Sequence, residues 1–406
     1  MSLKKTTLHR RKFIGLSGLT AAGMLLSPRF AFAEETVSDR KIRIGIIGGR
    51  FGASFYFHEH PNCIVEAVSD LRSERRDVLM KTYHCSKSYE SLEKLLTDKN
   101  IDAVFIATGA PDHARHVLAA LNAGKHVLCA VPAAMNLEEC AALRDAVKRT
   151  GLTYMMAETT AFRQNTISVQ KMFGEGKFGT IFSAAAEYNH PGLEVLFFED
   201  GAPTWRHGFP PMHYPTHCTA FLTSVTGERL TEVSCMGWGD GSELLKNNPY
   251  NNPFWNETAF FKTSKGNPFR VEVNWRGALH EVERGEWRGD KMSFFSASQP
   301  GEQHTIIHAA DTIGRDDAGF KHKQASVEKY NQPQWWQTDM LPQPLRHDSG
   351  HDGSHPFITH EFIDALINNR SPKVNIYEAL AYTAPGIVAH QSALKNGEYM
   401  KIPGFD

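Results

Sequence analysis

Residues Lys41 to Ala53 read K-I-R-I-G-I-I-G-G-R-F-G-A. Ile42, Ile44, Ile46 and Ile47 form a β-branched run too short for a helix but suited to a buried parallel strand. Gly45, Gly48, Gly49 and Gly52 follow at the spacing of a tight strand-to-helix turn, in which glycine lets backbone approach a ligand. A helix after that turn would offer its N-terminus to an anion. The stretch reads as the first β-α turn of a dinucleotide-binding domain.

Working outward, Cys63 to Ser69 reads as a second strand, and Asp70 closes it 22 residues after Gly48. That is where a ribose-binding carboxylate is expected. Ile101 to Thr108 and His126 to Cys129 are further apolar strands, with helical periodicity at Ser73 to Tyr83, Ser91 to Thr97 and His113 to Ala123. Against the G-x-G-x-x-G/A pattern counted from Gly48, Arg50 holds the second glycine position and Ala53 the third. The Arg50 guanidinium is a candidate phosphate partner, and Gly49 beside it can absorb the turn. Candidate cofactor-binding residues here are Gly48, Gly49, Arg50, Phe51, Gly52, Asp70 and Arg72. Asp70 favours NAD; Arg72, Arg75 and Arg76 would tolerate the additional phosphate of NADP.

The chain has 406 residues, 41% hydrophobic and 22% charged, enough for two sizeable cores. Residues 1–33 read as an export signal: His9-Arg10-Arg11-Lys12-Phe13-Ile14 is a twin-arginine sequence, followed by an apolar run to Leu26 and a small-x-small site at Ala31-Phe32-Ala33. The run is shorter than the ~18 to 20 residues of a membrane span, so no stable anchor is expected. The expected location is the periplasm or the exterior. Removing the leader takes six of 44 Lys/Arg and none of 45 Asp/Glu, leaving a net charge of −7 and no basic patch for nucleic acid. The six cysteines lack C-x-x-C spacing and read as small core residues.

The run Asp102 to Pro132, D-A-V-F-I-A-T-G-A-P-D-H-A-R-H-V-L-A-A-L-N-A-G-K-H-V-L-C-A-V-P, resembles the Gfo/Idh/MocA oxidoreductases, whose pattern is T-P-x-x-x-H, A-G-K-H-V and E-K-P. The resemblance implies an α/β chain: a Rossmann domain over residues 34–160, then an α+β substrate domain over 161–406 with a large, mostly antiparallel open sheet. It also implies C-terminal helices packed back on the first domain, and a homo-oligomer. It adds Thr108, His113 and Pro132 to the cofactor candidates. Where typical dehydrogenases carry the substrate-binding lysine, this chain has Val131. The triplet Ala130-Val131-Pro132 with Ala133-Ala134 resembles a branch containing NAD-dependent glycosidases, including α-N-acetylgalactosaminidases. Tyr154 to Thr159, Y-M-M-A-E-T, resembles that branch's M-M-x-E segment and makes Glu158 a candidate at the cofactor. Met212 to His217, M-H-Y-P-T-H, matches its Y-P-T-H segment, which makes Tyr214 and His217 the leading catalytic candidates.

In the second half, strands are read at Gly179 to Tyr188, Leu230 to Trp238, Glu257 to Thr263 and Arg270 to Arg276, and helices at Cys218 to Thr226 and Phe357 to Asn368. Asn247 to Trp255 is a loop rich in proline and asparagine, and Ala309 to Gly350 an extended surface excursion. Tyr188, His190 and His213 join the catalytic set, with His351 and His355 beside them, because histidine and tyrosine are suitable acid/base groups. Pro215 makes His213 and His217 a poor helical zinc pair, so no metal is expected. An exported enzyme without a soluble nicotinamide pool must keep and recycle its cofactor. The resulting expectation is a nicotinamide-dependent oxidoreductase acting on a sugar or glycoside, a small-molecule carbohydrate. The alternatives are an NAD-dependent glycosidase that oxidises, eliminates, adds water and reduces again, and a sugar-binding protein with a vestigial nucleotide site.

Overall fold

A computed structural model describes residues 39–310 and 312–406. The twin-arginine segment lies outside the described residues. β1 (Ile42–Ile47), β2 (Cys63–Ser69), β3 (Ser88–Tyr89), β4 (Ala103–Ile106), β5 (His126–Cys129) and β6 (Tyr154–Met156) form one sheet in the order 3-2-1-4-5-6. Every neighbouring pair is parallel. The order reverses between β1 and β4, which opens a crevice at their carboxyl ends. Ile44 and Ile46 of β1 and all four residues of β4 are buried, as strands covered on both faces must be.

The helices α1 (Ser73–Thr82), α2 (Leu92–Leu96), α3 (His113–Asn122) and α4 (Leu137–Thr150) cover this sheet. Their ends follow local chemistry. The Asn136 side chain accepts from the Glu139 amide at 2.8 Å, and the Glu139 carboxylate accepts from the Met135 amide at 2.8 Å. Gly151 then stops α4 with φ +66°.

The helix expected after the glycine turn is absent. In its place are a four-residue 3-10 turn, Phe51–Ser54, and a three-residue one, Phe57–Glu59, separated by Tyr56 in the left-handed region at φ +56°. The physical reason lies in F-G-A-S-F-Y-F: Gly52, Ser54 and four aromatics are poor helix formers, and Phe55 and Phe57 gain more by burial. Phe55 packs on Phe105 of β4 at 4.6 Å and stacks on His355 at 4.4 Å.

The rest of the chain forms α5 (Gln164–Gly174), β7 (Ile181–Asn189), a hairpin of β8 (Phe198–Glu199) and β9 (Ala202–Pro203), α6 (Thr216–Thr226), β10 (Leu230–Trp238), β11 (Asn256–Thr263), β12 (Pro268–Asn274), β13 (Val282–Gly289), β14 (Met292–Phe295) and β15 (His304–His308). After a second hairpin, β16 (Ile313–Arg315) with β17 (Lys321–Lys323), come β18 (Ser326–Tyr330), α7 (Gly350–Ile367), α8 (Ile376–Leu394) and β19 (Met400–Lys401). Nine strands make a second sheet in the order 18-15-14-13-7-12-11-10-19, antiparallel except for β7 beside β12. Fold class is therefore as the sequence reading had it: a Rossmann domain and a large, mostly antiparallel open sheet.

One face of this sheet buries Trp255, Trp275 and Trp287 in a core shared with α6 and α8. The other face exposes Phe182, Met236, Trp238 and Phe260. α8 spans both sheets: the Thr383 hydroxyl accepts from the Ala133 amide at 3.3 Å, the Tyr382 carbonyl accepts from the Thr219 hydroxyl at 2.8 Å, and the Ser392 hydroxyl accepts from the Cys235 amide at 2.9 Å. All six cysteines are free and buried. Among the described residues no helix is long and apolar enough to cross a membrane.

Candidate active site

The crevice beyond β1 and β4 holds a cleft of about 340 Å³. Its floor is the glycine turn. Gly48 has φ +105°, and a Cβ there would lie 2.3 Å from the Ala107 carbonyl oxygen, so no other residue fits. The Gly49 amide donates to Asp70 Oδ2 at 2.7 Å and the Arg72 amide to Asp70 Oδ1 at 2.9 Å, which fixes the carboxylate at the rim. Thr108 Oγ1 pairs with His116 Nδ1 at 2.9 Å on the opposite wall. Arg50, where the pattern asks for glycine, turns outward, half-exposed, and pairs with Glu199. The space against the glycine turn stays open. These residues fit a dinucleotide: a cradle a Cβ would fill, a positioned ribose-type carboxylate and a hydroxyl from the β4 loop.

Gly48, Gly49, Arg50, Phe51, Asp70 and Thr108 line the cleft. Gly52 is buried beneath it, its carbonyl accepting from the Tyr83 hydroxyl. Arg72 stands at the rim, committed to Glu199 at 3.0 Å. His113 needs correction as a cofactor contact. Its ring is buried, with Nδ1 2.8 Å from the Pro132 carbonyl and Nε2 3.1 Å from the Thr108 carbonyl. It braces two loops from below, Pro132 entering through its backbone, and His116 takes the place in the cleft wall.

Glu158 lies with the catalytic candidates. Its buried Oε1 is 3.3 Å from Nδ1 of His217, and Glu283 Oε2 is 3.8 Å from the same nitrogen. The Thr160 amide donates to Glu158 at 2.9 Å, and Thr160 Oγ1 to Glu283 at 2.9 Å, so one short turn positions both carboxylates. Arg163 completes the network, 3.3 Å from Glu283. Burial opposes a charge on His217, but the two carboxylates outweigh it and raise its pKa to about 9. Burial likewise pushes Glu283 up, and His217 with Arg163 brings it below the ordinary value.

Tyr188 and Tyr214 flank His217, with ring centroids 4.7 and 5.4 Å away, the second pair stacked at 14°. Burial raises both phenols, Tyr188 well above its ordinary value; Arg206, bonded to the Tyr214 hydroxyl, works against this on Tyr214. Tyr188, Tyr214, His190, Arg206 and Trp275 line a small cavity of about 70 Å³, and Arg206 also lines the nucleotide-type cleft. The two spaces share that wall. At neutral pH the cavity presents two neutral phenols, and the His217 imidazolium with its carboxylates lies buried against their rings.

His213 points elsewhere. Its ring lies 5.2 Å from His390, which binds Glu257 at 2.8 Å, and burial beside His390 lowers its pKa to about 3. It titrates too low to transfer protons near neutrality and is a correction to the catalytic set; Pro215 starts α6 between the two histidines and turns their side chains apart. His190 stays at the cavity wall, 6.3 Å from Tyr188, with its buried Nδ1 unpartnered. His351, in a left-handed stretch with Asp352 and Gly353 at the start of α7, binds His355 Nε2 at 2.9 Å, and His355 Nδ1 lies 2.8 Å from the Ser54 carbonyl. Glu283, Arg163, Arg206 and Glu199 were not read from the sequence. Glu283 had a signal: it is in phase with Gly285 and buried Trp287 on alternating β13, which puts a carboxylate on a core-facing row. Among the described residues no trio of His, Cys, Asp or Glu is arranged to hold a metal ion.

Residues 42–158 match the model of the oxidoreductase family with an NAD-binding Rossmann fold, GFO_IDH_MocA, and residues 302–406 match the glycosyl hydrolase 109 C-terminal domain. The chain carries a Gfo/Idh/MocA NAD-binding domain followed by a glycosyl hydrolase 109 C-terminal domain. A "Glycosyl hydrolase family 109 protein" of Solibacter usitatus (strain Ellin6076) is 24% identical over 98% of this chain and 96% of its own length. Another of that name from Streptomyces niveus is 25% identical over 90% and 77%. In fold, the chain superposes on levoglucosan dehydrogenase in complex with NADH with a TM-score of 0.72, at 19% identity over 90% of this chain and 100% of that one. It also superposes on scyllo-inositol dehydrogenase from Lactobacillus casei, with bound NAD(H) and scyllo-inositol, with a TM-score of 0.64, at 16% identity over 89% and 99%.

Proposed function

We propose that the protein is an NAD-dependent enzyme that acts on a sugar or glycoside, and that the redox change is transient, so that the net reaction is glycoside hydrolysis. The observation that carries this is the joined pair of spaces: a dinucleotide-type cleft sharing Arg206 with a small cavity lined by Tyr188 and Tyr214, whose rings lie against His217. Two features favour the hydrolytic cycle over net dehydrogenation. Val131 stands where dehydrogenases of the family keep a lysine, and the C-terminal quarter matches the glycosyl hydrolase 109 domain.

NAD, held by Gly48, Gly49, Asp70 and Thr108, supplies a hydride acceptor that can return the hydride. The chain's own residues do the rest. Charged His217 donates to a sugar oxygen, holds developing negative charge, and recovers its proton with Glu158 and Glu283 behind it. Tyr188, neutral in the pocket, is the proton donor for the leaving oxygen, and Tyr214 with Arg206 orients the ring. Trp275, 5.7 Å from Tyr188, gives an apolar wall suited to a sugar face. The preference for NAD over NADP rests on Asp70.

The reading includes export by the twin-arginine route, supported by Arg10-Arg11 and Ala31-Phe32-Ala33, and self-association through the open sheet face that exposes Phe182, Trp238 and Phe260. The test is to denature purified protein, identify the released nucleotide by spectrum and mass, and assay the holoenzyme with aryl glycosides. Bound NAD with aglycone release and no net reduction supports the proposal. Stable reduction reversed by a second carbonyl compound would move the assignment to a net oxidoreductase, and a sugar-binding protein would show neither.

A further inference from the structure

The hairpin of β8 and β9 brings one carboxylate across the mouth of the nucleotide-type cleft. Glu199 accepts hydrogen bonds from three arginines of the Rossmann half: Arg50, Arg72 at 3.0 and 3.1 Å through both terminal nitrogens, and Arg75 at 3.3 Å. All four residues stand at the rim where Asp70 is pinned. Desolvation works against charge on Glu199, and the arginines outweigh it, holding the carboxyl below its ordinary value. The same strap reaches the other side of the cleft. A Cβ on Gly109 would lie 2.8 Å from the Trp205 ring, and Tyr250 donates to the Trp205 carbonyl.

We propose that Glu199 is a bolt for the bound nucleotide: it locks the 193–206 strap over the cleft and, by occupying Arg50, Arg72 and Arg75, excludes a nucleotide carrying a 2′-phosphate. The argument is electrostatic and geometric. Three guanidiniums beside a ribose-binding carboxylate are the chemistry that accepts a 2′-phosphate. A resident carboxylate on all three turns that site against a second anion, which would have to break the network and face Glu199 at close range. The bonds are also partly exposed, and partly exposed ion pairs are individually weak. The bolt therefore opens for loading, yet as a network it slows escape. A carboxylate contributed by the sheet domain thus reinforces the preference for NAD that Asp70 gives the Rossmann domain. The inference rests on the proposed NAD-binding reading of the cleft.

The test uses full-length protein stripped of nucleotide. Affinity for NAD and NADP is read by quenching of Trp205 and by calorimetry, and release by dilution into excess ADP-ribose. For wild type, NAD binds and NADP binds at least about tenfold more weakly. For Glu199→Gln, NADP affinity rises about tenfold or more, and NAD leaves several-fold faster while its thermal unfolding midpoint stays near that of wild type. Glu199→Asp, which keeps the charge, remains selective for NAD. Added salt speeds NAD release from wild type and has little effect on Glu199→Gln. Wild type that binds NAD, with Glu199→Gln gaining no NADP affinity, overturns the assignment of the bolt alone. Wild type that binds neither nucleotide overturns the cleft reading and the bolt with it.

Discussion

His217 and Glu158 form a buried pair, Nδ1 to Oε1 3.3 Å, with the carboxylate fully shielded from solvent. The pair makes the histidine a cation at neutral pH, which changes its role from base to donor. Glu158→Gln removes the larger source of the upward shift. We expect His217 to titrate lower by about one unit or more, and the alkaline limb of the pH-rate profile to move down with it. Proton NMR of the imidazole resonances with kcat/KM against pH checks both.

The same pair links stability to pH. The folded pKa of His217, about 9, lies above its ordinary 6.5. Its contribution is therefore complete below pH 6.5 and is lost as pH rises through about 9. A shift of this size is on the order of 3 kcal/mol. Urea denaturation of wild type should lose stability across that window, and His217→Asn should show a flatter dependence there. An identical slope in both proteins would rule the pair out as its source.

Tyr188→Phe removes one hydroxyl and keeps the ring against Trp275 and His217. If Tyr188 supplies the leaving-group proton, kcat falls roughly 10² to 10⁴-fold with KM little changed. An aryl glycoside whose leaving group needs no protonation should recover much of the loss. Equal losses on both substrate types would assign the hydroxyl to binding.

Gly48→Ala places a methyl 2.3 Å from the Ala107 carbonyl and strains a backbone at φ +105°. We expect a loss of about 1–3 kcal/mol in stability and severe loss of nucleotide binding. Calorimetry on the variant, with circular dichroism to confirm folding, separates the two effects.

His113→Ala tests a brace. The imidazole joins the Thr108 and Pro132 carbonyls from below the cleft. Its loss should cost about 2–4 kcal/mol and weaken nucleotide binding through the displaced Thr108 loop. His116→Ala, in the wall itself, should weaken binding with a smaller change in unfolding midpoint.

Much of this was legible because strands of a parallel sheet announce themselves as short β-branched runs. Cys63–Ser69 and Leu230–Trp238 have the bounds read for them. The glycine turn and Asp70 were readable for the same reason: the conformation at Gly48 admits no substitute. The helix after that turn was misread because the glycine pattern usually precedes one, while the burial of Phe55 and Phe57 depends on partners such as Phe105 and His355, far away in sequence. Tyr214 and His217 came from a short segment match. Glu283 and Arg163 reach His217 only through tertiary contact, and Glu199 meets Arg50 across 149 positions. Local patterns hold no record of such meetings.

The missing helix has a consequence for how the halves of this chain can be exchanged or dissected. Where a long helix follows the glycine turn, a Rossmann unit carries its own anion-attracting field and can be moved between proteins as a self-sufficient part. Here a four-residue turn supplies little of that field, and Trp205, Arg206 and Glu199 of the other half close the cleft. Residues 39–160 alone are a fragment whose nucleotide site lacks the wall of Glu199, Trp205 and Arg206. The ligand itself becomes a joint between the halves, so loading it should fuse their unfolding into one cooperative event.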